Sequence, residues 1–96
     1  MNREAVVIDP EDNVATATVE LAKDQKVTML AGDLALEIVA RDDIPFGHKI
    51  AVKDIAKGEH VIKYGEPIGR AVRDIAAGEH VHVHNVESER GRGDRR

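Results

Sequence analysis

The sequence contains no cysteine and no tryptophan, and Phe46 and Tyr64 are its only phenylalanine and tyrosine. Without cysteine, this chain alone cannot build a disulfide, a thiolate zinc site or an iron–sulfur cluster. With so few aromatics, Val, Ile, Leu and Ala must form the core. At 96 residues there is room for one domain with a modest core, and such cores are often completed by a partner or by oligomerisation. The composition therefore predicts one small domain that docks onto a partner or forms a homo-oligomer.

Long hydrophobic runs are also missing, because no segment approaches the ~20 apolar residues of a membrane span. Acidic residues interrupt the first nine positions, which is not typical of a signal peptide. We therefore expect a soluble, cytoplasmic protein. The formal net charge is -4, and the last ten residues carry four Arg against three acids. The body of the chain is thus acidic, which argues against nucleic acid or an anionic membrane as a partner.

An internal repeat organises the chain. The eight residues 54–61 recur at 74–81 with seven identical positions, and looser copies occupy 43–50 and 20–27. Each copy has an acid, an aliphatic residue, two variable residues, then Gly or Asp, two polar residues and an aliphatic residue. The acid can cap a short helical turn by accepting backbone N–H bonds, and Gly can end that turn in the left-handed conformation. A strand then leaves from the last aliphatic residue.

This pattern predicts a mostly β, mainly antiparallel fold with short strands, tight turns and short helical turns. Ile68 to Val72 is expected to return as a strand after a turn at Tyr64–Gly69. We expect an N-terminal extension at 1–12, one domain at 13–86 and a disordered charged tail at 87–96. The other predicted strands are Asn13–Val19, Lys26–Leu30, Leu34–Ala40, Lys49–Lys53, His60–Tyr64 and His80–Val86.

Histidines are frequent, with five in the chain. His80, His82 and His84 alternate with valines, so on one strand they would share a face at a spacing of about 6.5–7 Å, with the valines packed behind. Imidazoles arranged in this way can ligate a metal, hold an anion or exchange a proton near neutral pH. Three interpretations stay open: a solvent-facing polar strand, a metal site made by this chain alone, and a site shared with a partner.

The combination of four ordered motifs, at 43–51, 54–58, 62–69 and 77–85, resembles the amino-terminal SAF domain of the altronate and galactarate dehydratase family. The likeness covers about residues 13 to 86. It implies a β-clip fold, which agrees with the short strands and tight turns. It also implies sugar-acid dehydration, in which the proton beside the carboxylate is removed and the neighbouring hydroxyl leaves. Some relatives are sulfo-lyases, which expel sulfite instead.

In some members of this family the SAF domain is a separate small subunit, and this short chain looks like one. The resemblance then implies a large dehydratase-type catalytic subunit as partner and a small hydroxy acid as substrate. Family members typically depend on iron or another divalent metal, which we expect to be held mainly by the partner. The site residues expected from this chain are His48, His82 and His84 for catalysis, Lys49, Tyr64 and Asn85 for substrate binding, and His82 and His84 for metal.

The competing interpretation is a non-catalytic SAF-like module that binds a ligand or serves in assembly. The His-Val-His-Val-His-Asn segment at 80–85 favours the dehydratase branch. The sequence alone does not separate the individual roles of these histidines.

Overall fold

The computed structural model describes residues 4–88, and this part of the chain contains strands and turns but no helix. The expected mostly β fold is confirmed, whereas the short helical turns are replaced by tight hydrogen-bonded turns. None of the described residues forms a helix long and apolar enough to cross a membrane. The nine strands are β1 (Ala5–Val7), β2 (Val14–Ala17), β3 (Lys26–Ala31), β4 (Leu34–Val39), β5 (Lys49–Ala51), β6 (His60–Lys63), β7 (Glu66–Ala71), β8 (His80–Val81) and β9 (Val86–Ser88).

The strands form two sheets. Six of them are ordered β4-β3-β1-β2-β5-β8, and the other three are ordered β6-β7-β9. All neighbouring pairs are antiparallel except β1 and β3. Strand β1 lies between β2 and β3, within the segment predicted to be an N-terminal extension. Strand β9 includes Glu87 and Ser88, the first two residues of the predicted tail, and residues 89–96 lie outside the described residues.

The four repeat copies pair with each other in twos. Ile55 and Ile75 form a two-way backbone bridge, and Leu21 and Ile44 form the equivalent bridge in the other pair. These four aliphatic side chains are at most 2% exposed. The bridge between Leu21 and Ile44 packs into a core cluster with β1 and β3. The bridge between Ile55 and Ile75 packs into a second cluster with β6 and β8. The repeat therefore specifies two similar halves, each centred on a pair of turns.

The aspartate that opens three of the four repeat copies has a different role from the one expected. Asp54 accepts a hydrogen bond from the backbone N–H of Ala77, and Asp74 accepts one from that of Lys57, at 2.9 and 2.8 Å. Each acid therefore caps the opposite turn of its pair and not its own. The prediction of local capping was wrong, because a sequence window cannot reveal which turn lies across the pair. In three copies the local cap comes from a different side chain, that of Gln25, Glu59 or Glu79. Each of these accepts a hydrogen bond from the backbone N–H of the alanine three residues earlier.

Most predicted strands are present with shorter or shifted ends, and the strand predicted at Leu34–Ala40 is observed as β4. Strand β7 begins at Glu66, so Pro67 lies within a strand and not within the expected turn. Pro67 lies opposite Ile62, at the bulge where the β6–β7 register shifts between Val61 and Ile62. A bulge interrupts the ladder of hydrogen bonds, so the N–H that proline lacks is not needed there. The prediction of one strand over His80–Val86 was wrong, because the chain turns at His82–Asn85 between β8 and β9.

Replacing Thr16 by Val is expected to stabilise the fold. Thr16 lies in β2, and its Oγ1 is buried with no hydrogen-bond partner among residues 4–88. A methyl group of similar shape removes the cost of this unpaired hydroxyl, so unfolding should cost about 1 kcal/mol more. Urea unfolding measures the change. Thr18→Val is the control, since Thr18 is exposed and has a polar partner. A loss of stability in Thr16→Val would show that the hydroxyl is satisfied by water.

Candidate functional site

Three histidines meet where β5 and β8 pair. The antiparallel register pairs Lys49 with Val81 and Ile50 with His80, so His48, at the entry to β5, comes opposite His82 and diagonal to His80. His48 Nδ1 and His80 Nε2 are 2.9 Å apart and share one proton in a hydrogen bond. The His82 ring stacks on both, with centroids 4.3 Å from His48 and 5.4 Å from His80. We call His48, His80 and His82 the histidine triad of this site.

The repeat explains why His48 is available for this contact. At the equivalent position the other copies carry Gln25, Glu59 or Glu79, whose side chains accept the N–H of the alanine three residues earlier. In the copy at 43–50 that earlier residue is Pro45, which has no N–H to donate. The side chain at position 48 therefore has no turn to cap and can point to β8.

Asn85 shapes the turn that carries His82. Its side chain is fully buried, accepts the N–H of His82 at 2.9 Å and donates to the carbonyl of His80 at 2.8 Å. These bonds fold the segment back on itself, so Val83 is 80% exposed and does not pack behind the histidines as expected. The geometry gives Asn85 a structural role, and direct contact with a substrate would require this turn to open.

His84 lies beside the triad and not within it. Its ring centroid is 5.2 Å from that of His80, and the side chain is exposed. In the triad, by contrast, one ring nitrogen from each histidine lies within 4.8 Å of the other two. The predicted pairing of His82 with His84 as metal ligands is therefore less well supported by distance than the triad.

The donor set of the triad fits a transition metal. Neutral imidazoles suit iron, zinc, copper or nickel, and two nitrogens on one ion lie at most about 4.2 Å apart at the usual bond length of about 2.1 Å. His48, His80 and His82 would each offer one ring nitrogen to such an ion, which would supply a Lewis acid at this surface. Metal binding nevertheless stays a prediction.

An open groove of about 500 Å³ adjoins the triad. His82 forms part of its wall, so the predicted residues Lys49 and Tyr64 share one surface with the triad. Half-burial, and then the charge of Lys63, lower the pKa of Lys49 from its ordinary value. The lining residues are Lys49, Lys63, Tyr64, Ile68, His82, Val83, Val86 and Ser88.

The position of Tyr64 depends on a buried acid. Asp12 is 3% exposed and accepts hydrogen bonds from the N–H groups of Tyr64 and Gly65 at 3.1 and 2.8 Å. These bonds hold the β6–β7 turn, in which Tyr64 has a φ of 60°. The Lys63 ammonium lies 5.0 Å from the centre of the Tyr64 ring, within cation–π range.

Two residues of this site were not among the predicted site residues, His80 and Lys63. The signal for His80 was present, because the repeat aligns it with Lys49 and the alternating histidines include it. Lys63 gave no local signal, since a lysine at a strand end usually faces solvent. Its place in the groove, together with Lys49 of β5 and Ser88 of β9, depends on long-range packing that no sequence window reveals.

The stability of the fold is expected to decline as the pH falls through about 6.5. Burial lowers the pKa of His80, and the neighbouring His84, His48 and His82 lower it further, while Asp42 partly offsets them. Burial, then His48, Lys49 and His84, lower the pKa of His82 in the same way. The unfolded chain therefore binds more protons than the folded chain in this range, so unfolding becomes easier at acid pH.

Urea unfolding between about pH 5.5 and 8 measures this dependence, above the range in which ordinary carboxylates titrate. His82→Gln should flatten the profile. A free energy of unfolding that stays constant, or rises towards pH 5.5, would contradict the expectation.

Comparison with known proteins shows the family to which this strand-rich domain belongs. The model of the altronate/galactarate dehydratase SAF domain matches residues 3–89. A strand-rich domain with paired repeat turns is thus a SAF domain of the dehydratase type. The chain belongs to the altronate/galactarate dehydratase SAF domain family.

Proteins similar to this chain are of two kinds: some have about its length, and others are several times longer. The chain is 44% identical over 93 residues to (2R)-sulfolactate sulfo-lyase subunit alpha of Chromohalobacter salexigens, covering 94% of this chain and 99% of that protein. It is 51% identical over 77 residues to altronate dehydratase of Escherichia coli, covering 80% of this chain but 15% of that protein. Altronate dehydratase of Bacillus subtilis is 40% identical over 83 residues, and the chain spans 16% of it.

Proposed function

We propose that this chain is the small SAF-domain subunit of a lyase that acts on a sugar acid or a related hydroxy acid. The observation that carries the proposal is the end-to-end match to a sulfo-lyase alpha subunit, which the chain covers almost completely. The triad and the cationic groove support it, because they bring imidazoles and ammonium groups together on one open surface. A separate large subunit would cover this surface and complete the site.

The reaction class is a β-elimination. A base removes the proton on the carbon beside the carboxylate, and the electron pair forms a double bond as hydroxide or sulfite leaves the neighbouring carbon. This step needs a proton acceptor and positive charge near the carboxylate oxygens, where negative charge develops. Lys49 would hold the carboxylate, and an imidazole of the triad or His84 would accept or relay the proton.

The lowered pKa values of His80 and His82 favour neutral rings at neutral pH, as a proton acceptor requires. A divalent metal would supply a Lewis acid that stabilises the carboxylate oxygens. In this proposal the large subunit holds most of its ligands, with the triad contributing from this chain.

Co-expression with a candidate large subunit tests the proposal. We expect the two chains to purify together and the complex to consume (2R)-sulfolactate or altronate, with release of sulfite or water and formation of a keto acid. We expect neither chain to be active alone. A large subunit that is fully active without this chain would contradict a contribution to the site. A stable complex without any lyase activity would instead favour a non-catalytic binding or assembly module.

A further inference from the structure

The groove beside the triad is positively charged within an acidic protein. The chain has a net charge of -4, with 18 Asp and Glu residues. No acidic residue lines the groove among the described residues, whereas Lys49 and Lys63 both do. Two cations without a lining carboxylate are the usual chemistry of an anion site.

Neither lysine is neutralised within residues 4–88. Glu66 lies opposite Lys63 in the β6–β7 register, yet the two side chains form no ion pair. Lys63 instead contacts the face of Tyr64, and Lys49 is half-buried at the entry to β5. The two charges are near enough to repel each other. A ligand that brings two negative charges would remove this repulsion, whereas one carboxylate would offset only one of them.

The rest of the groove fits a short ligand backbone. Ile68, Val83 and Val86 add apolar side chains to its lining, and His82 belongs to both the groove and the triad. A ligand that binds Lys49 and Lys63 in this groove therefore shares it with His82, an imidazole of the triad.

Taken together with the proposed function on which this step rests, the geometry points to a hydroxy acid that carries two anionic groups, with Lys49 binding the first and Lys63 the second. Lys63 is then the residue that distinguishes dianionic substrates, such as dicarboxylates and sulfo-carboxylates, from monoanionic sugar acids.

Ligand binding to the full-length chain tests this inference without the large subunit. Malate is the dianionic probe, and 2,4-dihydroxybutyrate is its monoanionic match, since a hydroxymethyl group replaces one carboxylate. Backbone amide shifts of Lys63, His82 and Ser88 follow binding at low ionic strength. We expect malate to bind about tenfold or more tightly, as a charge-assisted hydrogen bond implies. We expect Lys63→Gln to abolish the preference and Lys63→Arg to retain it.

Lys57→Gln is the matched control, because it removes one charge from an exposed turn outside the groove. Equal affinity for the two probes, or an equal effect of the Lys57 and Lys63 variants, would overturn the inference and indicate general charge attraction. Failure of malate to shift the groove amides would overturn it as well.

The same variants in the assembled complex separate this inference from the proposed function. If the complex is an active lyase but Lys63→Gln leaves the ratio of kcat/KM for dianionic and monoanionic substrates unchanged, the inference fails and the function stands. If the isolated chain shows the Lys63-dependent preference but no complex has lyase activity, the function fails and the anion site stands.

Discussion

Replacing His48 by Gln is expected to lower the turnover of the assembled lyase by a factor of about 10²–10⁴, the usual effect of losing a proton-transfer group. Gln stands at the equivalent position in the repeat copy at 20–27, so the backbone of this turn accommodates it. The variant removes the ring that bonds His80 at 2.9 Å and stacks on His82. It should therefore disrupt the triad without unfolding the chain.

The measurement is kcat of the complex, together with the free energy of unfolding of the isolated chain. We expect the unfolding energy to stay within about 1 kcal/mol of the parent. His60→Gln is the control, because His60 is exposed and lies outside the triad and the groove. Equal turnover of the His48 variant and the parent would mean that the triad does not act in the reaction.

Replacing Gly78 by Ala is expected to cost about 3 kcal/mol or more, the largest stability effect that we predict for a single methyl group. Gly78 has a φ of +96°, and a Cβ there would lie 2.2 Å from the carbonyl oxygen of Val39. Left-handed backbone costs a non-glycine residue about 1–2 kcal/mol, and forcing a methyl group into packed backbone adds about 1–3 kcal/mol. Such a loss takes a large part of the ~5–15 kcal/mol that stabilises a typical domain.

Thermal and urea unfolding measure this loss. Gly47→Ala is a matched control, because Gly47 has the same place in its repeat copy and a φ of +84°, but a Cβ there has no neighbour within 4 Å. We expect it to cost only the backbone term, about 1–2 kcal/mol. Similar losses in the two variants would show that the contact with Val39 relaxes freely and that backbone strain alone decides the cost.

The sequence predicts local structure well in this chain and long-range pairing poorly. The repeat located the turns and the strands that leave them, because glycine and the alternation of aliphatic residues act within a few positions. It could not show that Asp54 and Asp74 cap each other's turns, since that exchange depends on a pairing across 20 residues of chain. Strand β1 was missed because three residues, Ala5–Val7, give too short a pattern, although the sheet places them at its centre.

In the histidine segment, the sequence pattern predicted a strand where the structure has a turn. Alternation of His and Val from His80 to His84 is typical of a strand, but the side chain of Asn85 bonds the backbone of His80 and His82 and folds a turn. The turn leaves the His80 and His82 rings stacked with their centroids 5.4 Å apart, closer than the spacing of about 6.5–7 Å expected along one strand. The chemistry of the segment was thus visible in the sequence, while its geometry depended on one buried amide.

Titration of the large subunit with this chain tests the central claim most directly, that the chain contributes residues to a shared site. Turnover should rise from background to saturation as the parent chain is added. His82→Ala should bind the large subunit equally well, displacing the parent, and give a complex with turnover lower by a factor of about 10² or more. Full turnover by the large subunit alone, or by the complex with the His82 variant, would contradict the claim.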